Sequence, residues 1–263
     1  MTIRLTLKVA CAAALLAAPV LAEDLTIVFK TTGAGGGGTS TSYYSSEKMR
    51  TGDAESETIV EYGAGRIVSI DHKKKEYSEI TLAEMEAAMK AAQAKMEEAN
   101  AQMKEQMAAM PPAMREKMEQ MMGGVAGSVA VTKGGTRQVA GYTCQDYTIA
   151  MGQAMTSKVC ATTALQFPAP NVDYRKFASF TGSASALAAN PMFKSMEKLT
   201  AEMKKIEGFT IADSMSMKMM GKSIESSKEA VEIKKGPIPA AAFDVASIAK
   251  GYKKVDHPVT KLK

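Results

Sequence analysis

The sequence predicts an α+β fold: a curved antiparallel sheet packed against a long methionine-striped helical insertion and a second helical pair. Three observations predict it. Short β-forming runs alternate with glycine turns from Leu25 to Ile80, methionine recurs at helical spacing from Met85 to Met121, and Asn190-Pro191 opens a further helical zone.

The chain begins with Arg4 and Lys8, an apolar run from Val9 to Leu16, and a small-x-small end at Val20-Leu21-Ala22. That pattern is a secretory signal peptide over 1–22, cleaved after Ala22, and it predicts a periplasmic or secreted protein. The apolar run falls short of the roughly 20 residues a spanning helix needs. The remainder, 23–263, is expected to form one domain with its helical insertion at 81–123.

Leu25-Thr26-Ile27-Val28-Phe29 is the first strand, and the glycines of Gly33 to Gly38 turn it into the β-formers that follow. Those glycines lack the Gly-Lys-Ser/Thr ending of a phosphate loop, so they are a hairpin turn. Glu57 to Tyr62 and Arg66 to Asp71 flank Gly63-Ala64-Gly65, and Glu76 to Ile80 follows the lysine turn at 73–75. From Thr81 the period changes. Leu82, Met85, Met89, Ala92, Met96, Ala99, Met103, Met107, Met110, Met114, Met118 and Met121 recur at about 3.5 residues and mark one helical face. Pro111 breaks or kinks that helix, because it cannot donate to the preceding turn.

Strands resume after Gly123-Gly124. Gly141 to Ile149 and Met155 to Thr163 form a hairpin which, centred on Gly152, sets Cys144 directly opposite Cys160. Outside the cytosol that pairing is a disulfide. Pro191 at a first helical position and Gly208 at the stop bound the second helix. Phe209, Ile211, Met215, Met217 and Met219 then share one strand face, with Ser214, Ser216 and Lys218 on the other. Lys222 to Ile233 is the next strand.

Composition narrows function. The chain has 21 Met, no Trp and a formal charge of +5, which loses two units with Arg4 and Lys8. So mild a charge does not argue for nucleic acid. No serine elbow, zinc spacing or nucleotide fingerprint occurs, His72 sits in a lysine-rich turn and His257 near the end; no catalytic residue, cofactor or metal is expected.

Lys48-Met49-Arg50, Asp71-His72-Lys73-Lys74-Lys75-Glu76-Tyr77, Gly141-Tyr142-Thr143-Cys144, Pro239 to Phe243 and Gly251-Tyr252-Lys253-Lys254 together resemble an uncharacterised family of exported bacterial proteins. That family is similar to LolA-type periplasmic lipoprotein carriers. The resemblance implies a half-barrel wrapped around helices, with acyl chains held inside. The long methionine helix and the cysteine pair depart from that pattern.

The expected function is therefore non-catalytic binding of a hydrophobic ligand: a lipid, an acyl chain or an apolar peptide. Met96, Met103, Met107, Met110, Met114, Met215, Met217 and Met219 are its candidate contacts, because soft unbranched thioethers adapt to variable partners. Lys250, Lys253, Lys254, Lys261 and Lys263 would suit a membrane surface, although a solvated tail is the better account of them. Two alternatives stand beside this reading. Thioethers such as Met103 with Met107 could bind Cu(I), or methionine could serve only to pack the core.

Overall fold

The computed structural model describes residues 23–33, 37–88, 90–91, 95, 98, 102, 129–151, 155–169, 172, 202–219 and 222–262. Twelve strands occur in chain order: β1 (Leu25–Gly33), β2 (Gly38–Tyr44), β3 (Lys48–Gly52), β4 (Ser56–Glu61), β5 (Arg66–Asp71), β6 (Glu76–Thr81), β7 (Val129–Val139), β8 (Tyr142–Met151), β9 (Met155–Thr162), β10 (Phe209–Met219), β11 (Lys222–Lys235) and β12 (Lys253–Lys254). All belong to one sheet, ordered β12-β6-β5-β4-β3-β2-β1-β11-β10-β9-β8-β7.

This corrects the expected fold class. The sheet is mixed, because β12 runs parallel to β6 while the other pairs are antiparallel. Among the described residues the helical positions are 82–88, 90–91, 95, 98, 102, 202–203 and Val245–Ile248, with two 3-10 turns at Ala240–Phe243 and Pro258–Leu262. The fold is a twelve-stranded sheet, not a half-barrel around a long helix. Residues 1–22, 103–128 and the zone after Asn190 as far as 201 lie outside the described residues.

Strand formation follows the sequence closely over 25–81. In β1, Leu25, Ile27 and Phe29 are buried while Thr26 and Val28 are not, as period-two alternation requires. Register carries that buried row across the sheet. Leu25 faces Tyr44, Tyr44 faces Met49, Met49 faces Val60, Val60 faces Ile67, and Ile67 faces Ile80. Met49, Val60, Ile67 and Ile80 pack with Met85, and Leu82 leans on the same cluster. The turn at 82–88 opens with a reciprocal cap: the Thr81 N–H donates to Glu84 Oε2 at 2.9 Å, and the Glu84 N–H donates to Thr81 Oγ1 at 3.2 Å.

The opposite face of β4 and β5 is covered by the C-terminal residues. Ile59, Val68 and Ile70 pack on Ala249, with Phe243, Val245, Ile248 and Tyr252 around them. Arg50 ties this cover down: it donates to both Glu57 carboxylate oxygens at 2.8 Å and to the Ala242 carbonyl at 2.9 Å. His72 of the lysine-rich turn lies 2.9 Å from the Tyr252 hydroxyl through Nδ1 and 3.2 Å from Glu57 through Nε2. The segment holding Tyr252 and Lys254 is therefore a docked element rather than a solvated tail.

The cysteines are bonded, with Cα atoms 5.4 Å apart. Their register differs from the expected one. Cys160 faces Asp146, not Cys144, because the hairpin closes between Met151 and Met155, one residue later than a centre on Gly152 requires. The disulfide therefore crosses the hairpin diagonally.

Candidate functional site

Three irregularities fall within one half of the sheet. The pairing shifts between Lys133 and Thr136 in β7, between Thr210 and Ala212 in β10, and between Val28 and Phe29 where β1 meets β11. Bulges strengthen local twist and bend the strand that carries them. At the first of these, Gln145 Nε2 donates to the Gly134 and Gly135 carbonyls at 2.7 and 2.8 Å, which holds the extra residues in place. The half-sheet curls until β7 and β11, separated in the sheet by β8, β9 and β10, have Cα atoms within 8 Å. Arg137 closes the curl, donating through Nε to Asp146 at 3.1 Å and through Nη1 to Glu229 at 2.7 Å.

Because opposed residues in an antiparallel pair share a face, the register sorts side chains into an inner and an outer surface. Inside, Asp146, Cys160, Ala212 and Glu229 form one row. Cys144, Cys160 and Ala212 are buried in one apolar cluster with Val139, Phe209 and Ile211 and with Leu25, Ile27 and Phe29 of β1. The next inner row is polar, and the trough it lines has a volume of about 660 Å³.

Outside, Met155, Met217 and Ile224 are directly opposed on β9, β10 and β11, and Ser157, Met215 and Ser226 form the row beside them. Met155 is buried, Met215 and Met217 are half-buried, and Ile224 is 36% exposed. The outer face continues into Val131, Tyr147, Ile149 and Val159, which pack against Ile206. Met203 beside them is another exposed large apolar residue, at 37%.

The structure thus brings two of the expected contacts, Met215 and Met217, together on one face, and adds Met155, which period-two reading of β9 could have supplied. Met219 ends β10, with its side chain outside the described residues. Met96, Met103, Met107, Met110 and Met114 lie outside the described residues. The bulge at Ile211 interrupts the expected continuous face from Phe209 to Met219: Ile211 and Ala212 are both buried.

Asp213 and Lys228 face each other on the same outer surface. Loss of water around them pushes the Asp213 carboxyl up, tempered by Lys228, and pushes the Lys228 ammonium down, tempered by Asp213. By surface area Asp213 is exposed and Lys228 half-buried, so water still reaches the carboxylate. Lys228 Nζ also stands 4.4 Å from the centre of the Phe29 ring, a cation–π distance.

A second polar cluster lies under the C-terminal cover. Lys48, Glu61, Arg66, Glu79 and Lys254 form a continuous ladder of ion pairs between 2.8 and 3.4 Å. The Lys48 hydrogen bond holds Glu61 below the usual carboxylate range, and the Arg66 hydrogen bond does the same for Glu79. Each charge has a partner, so the ladder reads as a structural tie. Among the described residues no group of three His, Cys, Asp or Glu side chains could hold a metal ion, and no helix is long and apolar enough to cross a membrane.

Two solved structures are similar at low identity. One is an uncharacterized conserved protein from Thermus thermophilus, 5% identical, with 90% of this chain and 92% of that chain covered and a TM-score of 0.43. The other is MucB in complex with MucA(peri), 8% identical, with 85% of this chain and 54% of that chain covered and a TM-score of 0.34. No curated protein matches. The family whose pattern does match covers residues 95–247, more than half of the sequence and including the cysteine hairpin and the whole of β10 and β11, so the chain belongs to the DUF4412 family, a domain of unknown function.

Proposed function

We propose that this is a non-catalytic binding protein of the periplasm or cell exterior that holds an apolar ligand, a lipid, acyl chain or apolar peptide, against the outer face of β9, β10 and β11. The observation that carries the reading is the directly opposed row Met155, Met217 and Ile224, with Met215 beside it. Met155 anchors the row in the core while Met215, Met217 and Ile224 stay partly uncovered, as a binding surface needs, and thioether side chains repack around partners of differing shape. The methionines of the helical stripe, Met96, Met103, Met107, Met110 and Met114, enter the same reading as further contacts.

Two features support the exported setting: the signal segment ending at Ala22, and the Cys144–Cys160 bond, which persists in oxidising compartments. The resemblance to lipoprotein carriers in the short motifs agrees with an acyl ligand.

A fluorescent acyl chain titrated into the ligand-stripped protein tests the proposal. Binding that saturates and weakens at least about tenfold in the Met215→Gln, Met217→Gln double variant supports it. Absence of saturable binding, or equal affinity in the variant, overturns it.

A further inference from the structure

The face that carries Met155, Met215 and Met217 is not apolar throughout: it grades from charge to hydrocarbon along β10. Alternate residues of a strand share a face, so three cross-strand rows follow one another there at a spacing of about 7 Å. Val159, Asp213 and Lys228 form the first row, Ser157, Met215 and Ser226 the second, and Met155, Met217 and Ile224 the third. A pair of charges, a pair of hydroxyls and an apolar end therefore lie in line over about 13 Å. Ser157 and Ser226 are half-buried, and neither makes a side-chain hydrogen bond among the described residues.

The charged row leaves its own pairing undone. Directly opposed residues hold their Cβ atoms about 4.5–5.5 Å apart, close enough for an aspartate and a lysine to bond. Yet no ion pair or hydrogen bond joins Asp213 to Lys228, and neither side chain makes one with another described residue. Lys228 instead holds its ammonium 4.4 Å from the centre of the buried Phe29 ring. Two further charges bear on the row. Asp53, in the turn after β3, adds a weaker field at Lys228, but its Oδ1 already accepts from the Glu55 and Ser56 N–H groups. Lys133 on β7 ends the row, with Tyr147 and Val159 between it and Asp213.

These charges select the head of a ligand whose tail occupies the apolar site proposed above, and the selection depends on that site. An anionic head that meets Lys228 is repelled by Asp213 beside it, and a cationic head that meets Asp213 is repelled by Lys228. An uncharged head leaves both groups short of partners beside apolar surface. A head with both charges satisfies both. We infer that the ligand of this face is a zwitterionic phospholipid, with its phosphate at Lys228, its ammonium at Asp213 and an acyl chain along Met215, Met217 and Met155. Both head contacts are charge-assisted, and the Ser157 and Ser226 hydroxyls supply donors for the ester carbonyls between head and chain.

Calorimetric titration of the full chain, stripped of ligand, tests this with four amphiphiles that share a dodecyl chain, each below its micelle-forming concentration: dodecylphosphocholine, dodecyl phosphate, dodecyltrimethylammonium and dodecyl maltoside. The expected result is that dodecylphosphocholine binds at least about tenfold tighter than each of the others. Asp213→Asn should bring dodecyl phosphate level with dodecylphosphocholine, and Lys228→Gln should do the same for dodecyltrimethylammonium. Dodecyl maltoside should bind the parent and both variants alike, which reports that the apolar row is intact. The ranking in the parent decides the matter without regard to the stability of either variant. Equal binding of all four by the parent, tighter binding of a neutral or singly charged amphiphile, or variants that keep the parent ranking would overturn the inference and leave the apolar site standing. Binding of none of them would remove both.

Discussion

Arg137 on β7 and Glu229 on β11 meet at 2.7 Å, although β8, β9 and β10 lie between their strands in the sheet. A flat sheet of that width would span about 19 Å at the usual strand spacing. The pair therefore reports the curl directly, and with Asp146 it pins the inner surface. All three side chains reach water, and exposed ion pairs contribute up to about 1 kcal/mol each. Arg137→Ala should lower unfolding stability in urea by about 1 kcal/mol, and Arg137→Lys, which keeps the charge but loses the fork, should recover only part of it. An unchanged midpoint in Arg137→Ala would show that the bulges hold the curl without the ion pairs.

The diagonal bond between Cys144 and Cys160 closes a separation of 16 residues inside the main apolar cluster. On the chain-entropy account a loop of that size contributes about 3 kcal/mol. The Cys144→Ser, Cys160→Ser double variant should lose about that amount, and reduction of the parent protein by dithiothreitol should reproduce the loss. Equal stability in the two forms would contradict a structural role.

Acid should destabilise the protein in two steps with the same sign. Burial lowers the His257 imidazole below its ordinary 6.5, so the unfolded chain takes up a proton first and stability falls as pH drops below that value. Glu61 and Glu79, held below their ordinary 4.5 by Lys48 and Arg66, contribute stability that is present above 4.5 and is lost as pH falls through their lowered values. Urea midpoints measured against pH should fall in both windows. His257→Asn should remove the upper step, and the Glu61→Gln, Glu79→Gln pair should shrink the lower step, part of which remains with Asp71, Glu202 and Asp244.

The tight turn between β7 and β8 joins Val139 to Tyr142 through two residues with positive φ, Ala140 at 48° and Gly141 at 83°. Such a turn fits the twist of a hairpin and favours Asn-Gly. Alanine is strained there, so Ala140→Asn should stabilise by about 0.5–1 kcal/mol, read as a higher melting temperature. Gly208 is the converse case. Its φ is 94° and a Cβ would stand 2.4 Å from the Thr162 carbonyl oxygen, so Gly208→Ala should destabilise by about 2 kcal/mol or more.

How much of this is legible in the sequence depends on how local the determining interaction is. Strands β1, β5, β6, β8, β9 and β11 follow from alternation and glycine turns, which act over a few residues. The methionine stripe from Met85 to Met121 misdirects the fold class, because its period dominates the pattern while the joining of every strand into one sheet depends on long-range pairings such as Leu25 with Lys235. The parallel pairing of Lys253 with Glu76 carries no period at all. Of the site, Met215 and Met217 are visible as period-two thioethers. The polar row beside it is not, since Thr148, Lys158, Ser214, Ser227 and Thr32 come into line only through pairings between strands far apart in the chain.

Native mass spectrometry of the protein purified from the bacterial periplasm is the decisive check on the proposed apolar ligand. The expected spectrum shows a signal-cleaved, disulfide-closed chain carrying additional mass that matches a lipid or another apolar molecule, and that is lost from the Met215→Gln, Met217→Gln variant. A chain with no added mass, or with the mass of copper alone, would refute the proposal.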